Sequence, residues 1–257
     1  MGEMHHLNVG CADASIITND GATFLIDTHG IENHANLLPN NKTLGGVFIT
    51  HQHYDHFDGL RFLKDRRYAI SHLIYSPYER RRGDTSVEYE EWIEFEELKN
   101  HFVSQGTKTH TPYRQESWEK PFWQTNGLAF WIIGPHREIA RRDTRELHDA
   151  SLVVLVKATS SGRKCLYVGD ASDANLEYIE QNTTKYCDDI LHVSHHGSLN
   201  GAHSGFIKKA NAQYAVISTA SGVYDNVPHP TALQRYRENT KEKVYRTDTD
   251  GSLRWVI

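Results

Sequence analysis

The run His51-Gln52-His53-Tyr54-Asp55-His56 places three imidazoles and a carboxylate within six positions. Imidazole and carboxylate are first-choice ligands for Zn²⁺ and similar divalent ions. Left unpaired in a core, each would need a partner for its ring nitrogens or its charge, and a bound cation removes that cost. The order H-x-H-x-D-H provides two different ligand sets, unlike a compositional His-rich tract. The run follows Gly46-Val47-Phe48-Ile49, which reads as a buried strand. Side chains at the end of such a strand project into the loop layer, where sites are usually built.

Further groups stand after or before apolar runs. Asp170 follows Cys165-Leu166-Tyr167-Val168-Gly169, where an Asx turn or helix cap is the structural alternative to a ligand. His148 precedes Ser151-Leu152-Val153-Val154, and that strand distinguishes it from nearby His136. Asp27 follows Leu25-Ile26. His195 and His196 are adjacent, and neighbours on an extended chain point opposite ways, so only one of them easily serves as a ligand. His229 sits between Pro228 and Pro230 on a stiff backbone, either near the site or as a surface histidine in a proline turn.

Taken in order, these segments resemble the metallo-β-lactamase superfamily, whose signature is H-x-H-x-D-H. Asn8-Val9-Gly10-Cys11-Ala12-Asp13-Ala14-Ser15 is similar to the opening V-G-x-x-D-[AS] strand of a subgroup that includes the soluble domain of ComEC-type competence proteins. Phe24-Leu25-Ile26-Asp27-Thr28-His29-Gly30 resembles the L-I-D-x-G element, and Val168-Gly169-Asp170 the G-D motif. Val193-Ser194-His195-His196-Gly197-Ser198 is similar to the H-H-G-S motif. Val227-Pro228-His229-Pro230, Tyr245-Arg246-Thr247-Asp248 and Asp250-Gly251 resemble the closing segment.

The resemblance implies an α/β fold, a four-layer αβ/βα sandwich. It implies two divalent metal ions, Zn²⁺ first, with Mn²⁺ or iron as alternatives. His51, His53 and His148 would hold one ion, and Asp55, His56 and His196 the other, with Asp170 bridging. His148 departs from the Asn common in the subgroup, which favours a complete first site. Asp27 would orient a ligand imidazole. Besides the ligands Asp55 and Asp170, catalytic roles would fall to His195, facing the substrate, and His229, contacting a phosphate or protonating a leaving group. Two ions about 3.5–4 Å apart can share a hydroxide and clamp the oxygens of a phosphoryl or acyl substrate. The expected function is a metal-dependent hydrolase acting on a phosphoester or phosphodiester. A hydrolase of a lactone, thioester or cyclic amide is the alternative. Nuclease action, iron-dependent oxygen or sulfur chemistry and a non-enzymatic binding module are further ones.

Composition agrees with one domain over residues 1–257, since no Pro/Gly/Ser-rich linker or long charge block divides the 257 residues. The net charge of −5 lacks the basic footprint of a duplex-binding protein, so nucleic acid is not favoured as a partner. Arg80-Arg81-Arg82 and Arg137, Arg141, Arg142 and Arg145 read as solvated faces or as a phosphate-binding rim. The start carries no signal-peptide core, and the longest aliphatic run, Leu152 to Val156, is too short for a bilayer. Three cysteines without C-x-x-C point to a reducing, cytoplasmic compartment. Oligomeric state is open.

These residues need elements to hold them. Strands are expected over 5–10, 14–18, 22–27, 46–50, 72–76, 127–133, 151–156, 164–168, 190–193, 214–218, 243–247 and 253–257, with a hairpin at Asn19-Asp20-Gly21. Helices are expected over 34–38, 58–65, 88–103, 175–180 and 204–210. In the third of these, Trp92, Phe95, Leu98 and Phe102 recur at helical spacing.

Overall fold

The computed structural model describes residues 2–257. Two seven-stranded sheets lie face to face with helices outside each. The first runs Leu253–Val256, Glu3–His6, Ala14–Asn19, Ala22–Thr28, Gly46–Ile49, His72–Tyr75, Lys108–His110. The second runs Lys243–Arg246, Tyr214–Ile217, Ile190–His192, Lys164–Tyr167, Val153–Ala158, Leu128–Gly134, Trp123–Thr125. Asp20 and Gly21 both take positive φ, as the two-residue hairpin expected there requires.

Alternation along the strands explains the layers. Phe24, Ile26 and Phe48 point between the sheets, against Phe130, Ile132, Val154 and Tyr167 of the second sheet. Leu25, Val47 and Ile49 point the other way, onto Phe57, Leu60, Leu63 and the Phe95, Leu98, Phe102 stripe. On the far side, Leu166 and Leu191 meet Leu176 and Ile179 of Asp173–Asn182, Phe206 and Ile207 of Ser204–Ala210, and Ala232 and Tyr236 of Pro230–Asn239. Strands buried on both faces carry continuous apolar runs, which is how they read in the sequence. The result is helix, sheet, sheet, helix.

Most expected elements are present with shifted ends. The first strand is Glu3–His6 rather than 5–10, because Gly10 has a φ of 87° and starts the turn into Ala14. The helix expected over 58–65 is split into Tyr54–Phe57 and Leu60–Asp65. Gly59 lies between them, and a Cβ there would stand 1.8 Å from the Thr28 carbonyl oxygen. The segment 34–38 belongs to a 3₁₀ stretch, Ile31–Leu37. The edge strands Lys108–His110 and Trp123–Thr125 and the helix Pro230–Asn239 carry too few apolar positions to announce themselves.

The first sheet's Ala22–Thr28, Gly46–Ile49 and His72–Tyr75 are parallel, as are the second sheet's Lys164–Tyr167, Ile190–His192, Tyr214–Ile217 and Lys243–Arg246. Their carboxyl ends emerge on one side, the usual place for a site in parallel sheets. No described helix is long and apolar enough to cross a membrane.

Candidate metal centre

His51 leaves the end of Gly46–Ile49, Asp170 follows Lys164–Tyr167, and His195 and His196 follow Ile190–His192. His53, Asp55 and His56 come from the loop and short helix after the first strand, and His148 from the 3₁₀ turn Leu147–Ala150. These groups meet beyond the carboxyl ends of the strands, where the two sheets adjoin. Ligand atoms of His51, His53 and His148 lie within 4.8 Å of one another, and so do those of Asp55, His56 and His196. Asp170 stands between the sets. Its Oδ2 is 3.8 Å from the Nε2 atoms of both His51 and His148, and its Oδ1 is 3.4 Å from His56 Nε2. Asp55 Oδ2 lies 3.3 Å from His196 Nε2.

The rear nitrogens of three imidazoles are tied. His53 Nε2 donates to the Ser86 carbonyl (2.9 Å), His56 Nδ1 to Asp27 Oδ2 (2.9 Å), and His196 Nδ1 to the Ser218 carbonyl (3.1 Å). Each such bond leaves the opposite nitrogen to face the centre. Asp27 also accepts from the Thr50 backbone N–H and hydroxyl, both at 2.7 Å. It is the extra residue of a bulge, since Ala14 pairs with Thr28 and Ser15 with Ile26. Its φ of 54° turns the carboxylate off the strand's regular alternation. Gly169 permits the approach of Asp170, for a Cβ there would stand 2.6 Å from Thr50 Cβ.

The paired histidines differ from the extended picture. Both take left-handed φ, 51° and 52°, so the chain turns tightly there. Both rings consequently reach Asp170 Oδ2, His195 Nε2 at 3.6 Å and His196 Nε2 at 3.9 Å. His196 is buried against Asp55, whereas His195 is partly exposed beside His148. His229 does not line the cavity over these groups. Its Nδ1 accepts the Thr231 N–H at the start of Pro230–Asn239, and its own N–H donates to the Gly197 carbonyl.

Two further carboxylates stand at the site beyond the expected donors. Asp13 is buried, with Oδ1 3.6 Å from both His196 Nδ1 and His192 Nε2. Its place in the opening V-G-x-x-D motif was the available signal. Glu91, on the helix Tyr89–Ser104, reaches the cavity wall and accepts the Tyr54 N–H, anchoring the helix that carries Asp55 and His56. Only the turn of a helix far along the chain brings it there.

The donors fit a cation on an independent ground. His56 Nε2, His196 Nε2 and Asp170 Oδ1 are buried, converge, and have no hydrogen-bond partner in the protein. Three such atoms side by side would be costly unless a metal completes them.

The family profile of the metallo-β-lactamase superfamily matches residues 8–221. The chain belongs to that superfamily. As a member with this donor constellation, it is a metal-dependent hydrolase. Over 132 residues, 51% of this superfamily member, it is 28% identical to Recombination protein 2 of Haemophilus influenzae; the match covers 16% of that longer protein. Igni18, a metallo hydrolase of Ignicoccus hospitalis, superposes with a TM-score of 0.58 over 99% of both chains at 14% identity. A diphosphatase of the PhnP family superposes with a TM-score of 0.55 at 13% identity, over 100% of this chain and 98% of its own. At these identities the likeness to the two structures is one of fold.

Proposed function

We propose that this metallo-β-lactamase superfamily member hydrolyses a phosphoester, most simply a small phosphodiester, at a centre of two divalent ions, zinc in the first instance. The observation that carries the reading is the position of Asp170 between two separate donor sets. His51, His53 and His148 would hold one ion, and Asp55, His56 and His196 the other, with Asp170 shared. When bound, such ions supply Lewis-acid polarisation of a phosphoryl oxygen and an acidified water. The chain's own groups do the rest. Asp27, Ser86 and Ser218 fix the ring orientations, and Asp13 supports His196 and His56 from behind with negative charge. His195, partly exposed beside Asp170 and His148, is placed to hold a substrate oxygen through Nε2. The fold likeness to a diphosphatase is compatible with phosphoryl substrates. Three buried free thiols are compatible with a reducing, cytoplasmic setting.

Elemental analysis of protein purified without chelators should give about two transition-metal equivalents per chain, as a shared-carboxylate site requires. The loaded protein should cleave a phosphodiester panel faster than a lactone and thioester panel. A stoichiometry near one would remove the dinuclear assignment, and the reverse substrate preference would remove the phosphoester one.

A further inference from the structure

The cavity over the metal centre has a volume of about 820 Å³, far more than a single phosphate group fills. Its lining is unequal. The donors occupy the floor, while Val9, Ala12, Val223, Tyr224 and Val227 form an apolar wall. Val223 and Tyr224 are each 55% exposed, two of the few large apolar side chains left in water among the described residues. Placing both beside a reacting centre leaves unfavourable apolar exposure that a bound group would relieve.

Charge narrows what that group can be. No lysine or arginine lines this cavity; its charged groups away from the histidines are the carboxylates Asp55, Glu91 and Asp170. The adjoining cavity of about 500 Å³, which shares His148, is lined by Arg81, Arg82 and Arg145, but also by Asp84, Asp143 and Glu146. Arg81 is already paired with Asp143, and Arg142 nearby with Asp149. Arg82 and Arg145 lack a carboxylate partner, but the lining of the adjoining cavity balances three arginines against three carboxylates, so neither cavity presents net positive charge to a second phosphate. A polyphosphate or a nucleic-acid strand would need such charge along its length.

From this we infer that the substrate is a phosphodiester monoanion whose non-leaving ester arm is an aromatic ring, seated against Tyr224 and Val223. The inference rests on the phosphoester reading and narrows it: the metal centre takes the one phosphoryl group, and the Tyr224 wall selects the arm. An aromatic ring suits a flat, half-exposed tyrosine, since offset or edge-on ring pairs attract each other beyond what their buried area alone gives.

Binding and turnover test this separately. Calorimetric titration of the zinc-loaded full chain with diphenyl phosphate and with dimethyl phosphate should show the phenyl diester binding at least about 10-fold tighter, a margin of about 1.4 kcal/mol. Tyr224→Ala combined with Val223→Ala should bring the phenyl-to-methyl ratio toward one. Both side chains are exposed, so circular dichroism and melting should show the fold retained. Hydrolysis of phenyl and methyl p-nitrophenyl phosphate, which share a leaving group, should follow the same ratio in kcat/KM. Equal binding of the two diesters, or a preference unmoved by the double variant, overturns the inference. Preferential binding without hydrolysis of either diester would support the wall as a ring site and sink the phosphoester reading instead.

Discussion

Asp170 is the residue within reach of both donor sets. Asp170→Ala should abolish hydrolysis and lower metal content at both positions, whereas His195→Ala should keep the metals and slow turnover less. Metal analysis of the two variants checks this, and loss of one equivalent in His195→Ala alone would make His195 a ligand. Asp27→Ala removes the acceptor behind His56 and should weaken metal affinity by about 10–100-fold, the usual effect of losing such a support. Protons compete unequally for the two sets. Burial pushes His51 well down, and takes His148 to about 4 with help from His195 and His53 and against the pull of Asp170. Burial also opposes charge on His56 and His196, but Asp170 with Asp27 and Asp55 around the first, and Asp170 with Asp13 around the second, hold both well above the ordinary histidine range. His51 and His148 are thus held toward the neutral form that a metal needs, whereas His56 and His196 are held toward the protonated one. Loading should release protons, and affinity at the second set should gain more from a rise in pH than affinity at the first. A metal titration in weak buffer reads this directly; no proton release at pH 7 would contradict it.

Among the elements, the split helix after the signature run is the most constrained. Gly59 packs on the Thr28 carbonyl with no room for a side chain, so Gly59→Ala must displace either Leu60–Asp65 or the strand end that carries Asp27. Overpacking of this kind costs about 1–3 kcal/mol. Thermal melting should show the loss, accompanied by weaker metal retention because Asp55 and His56 lie just before the turn. Helix Pro230–Asn239 presents a second case. His229 caps it and supports Gly197, beside the candidate ligand His196. Loss of a cap costs about 0.5–2 kcal/mol. Since capping is the role its contacts carry, His229→Ala should lower Tm and slow alkyl and nitrophenyl diesters by similar factors. A much larger loss on the alkyl ester, whose leaving group needs a proton, would return His229 to the proton-donor role expected from its motif.

For the whole molecule, three different layers cover the thiols: Cys165 lies between the sheets, Cys187 under the helices outside the second sheet, and Cys11 at the wall of the cavity over the metal centre. Cys11, Cys165 and Cys187 are free and buried, and burial raises all three, Cys187 to about 12. Thiolate is the reactive form, so a disulfide reagent at pH 7 should titrate fewer than one equivalent in the native chain and three after denaturation. Rapid native reaction of Cys165 would mean that the sheets do not pack as described. Elements buried on both faces were readable from their apolar runs, and the Phe95 stripe from its helical period. Short edge strands and the polar helix Pro230–Asn239 were not, because their residues make few apolar contacts and leave no period.

Local spacing determined the first donor run, because His51, His53, Asp55 and His56 are carried on one strand end and the turn after it. The order of motifs was also legible, and with it Asp170 and His148 as partners. Tertiary structure alone decided how these pieces share space. The bulge at Asp27 depends on pairing with the strand Ala14–Asn19, and the left-handed turn at His195 and His196 brings both rings onto Asp170. Asp13 and Glu91 join the site only once the sheets face each other and the long helix lies across the cavity. Nor could composition reveal the apolar wall, since Val9 and Tyr224 are over two hundred positions apart and come to line one cavity only when the chain is folded.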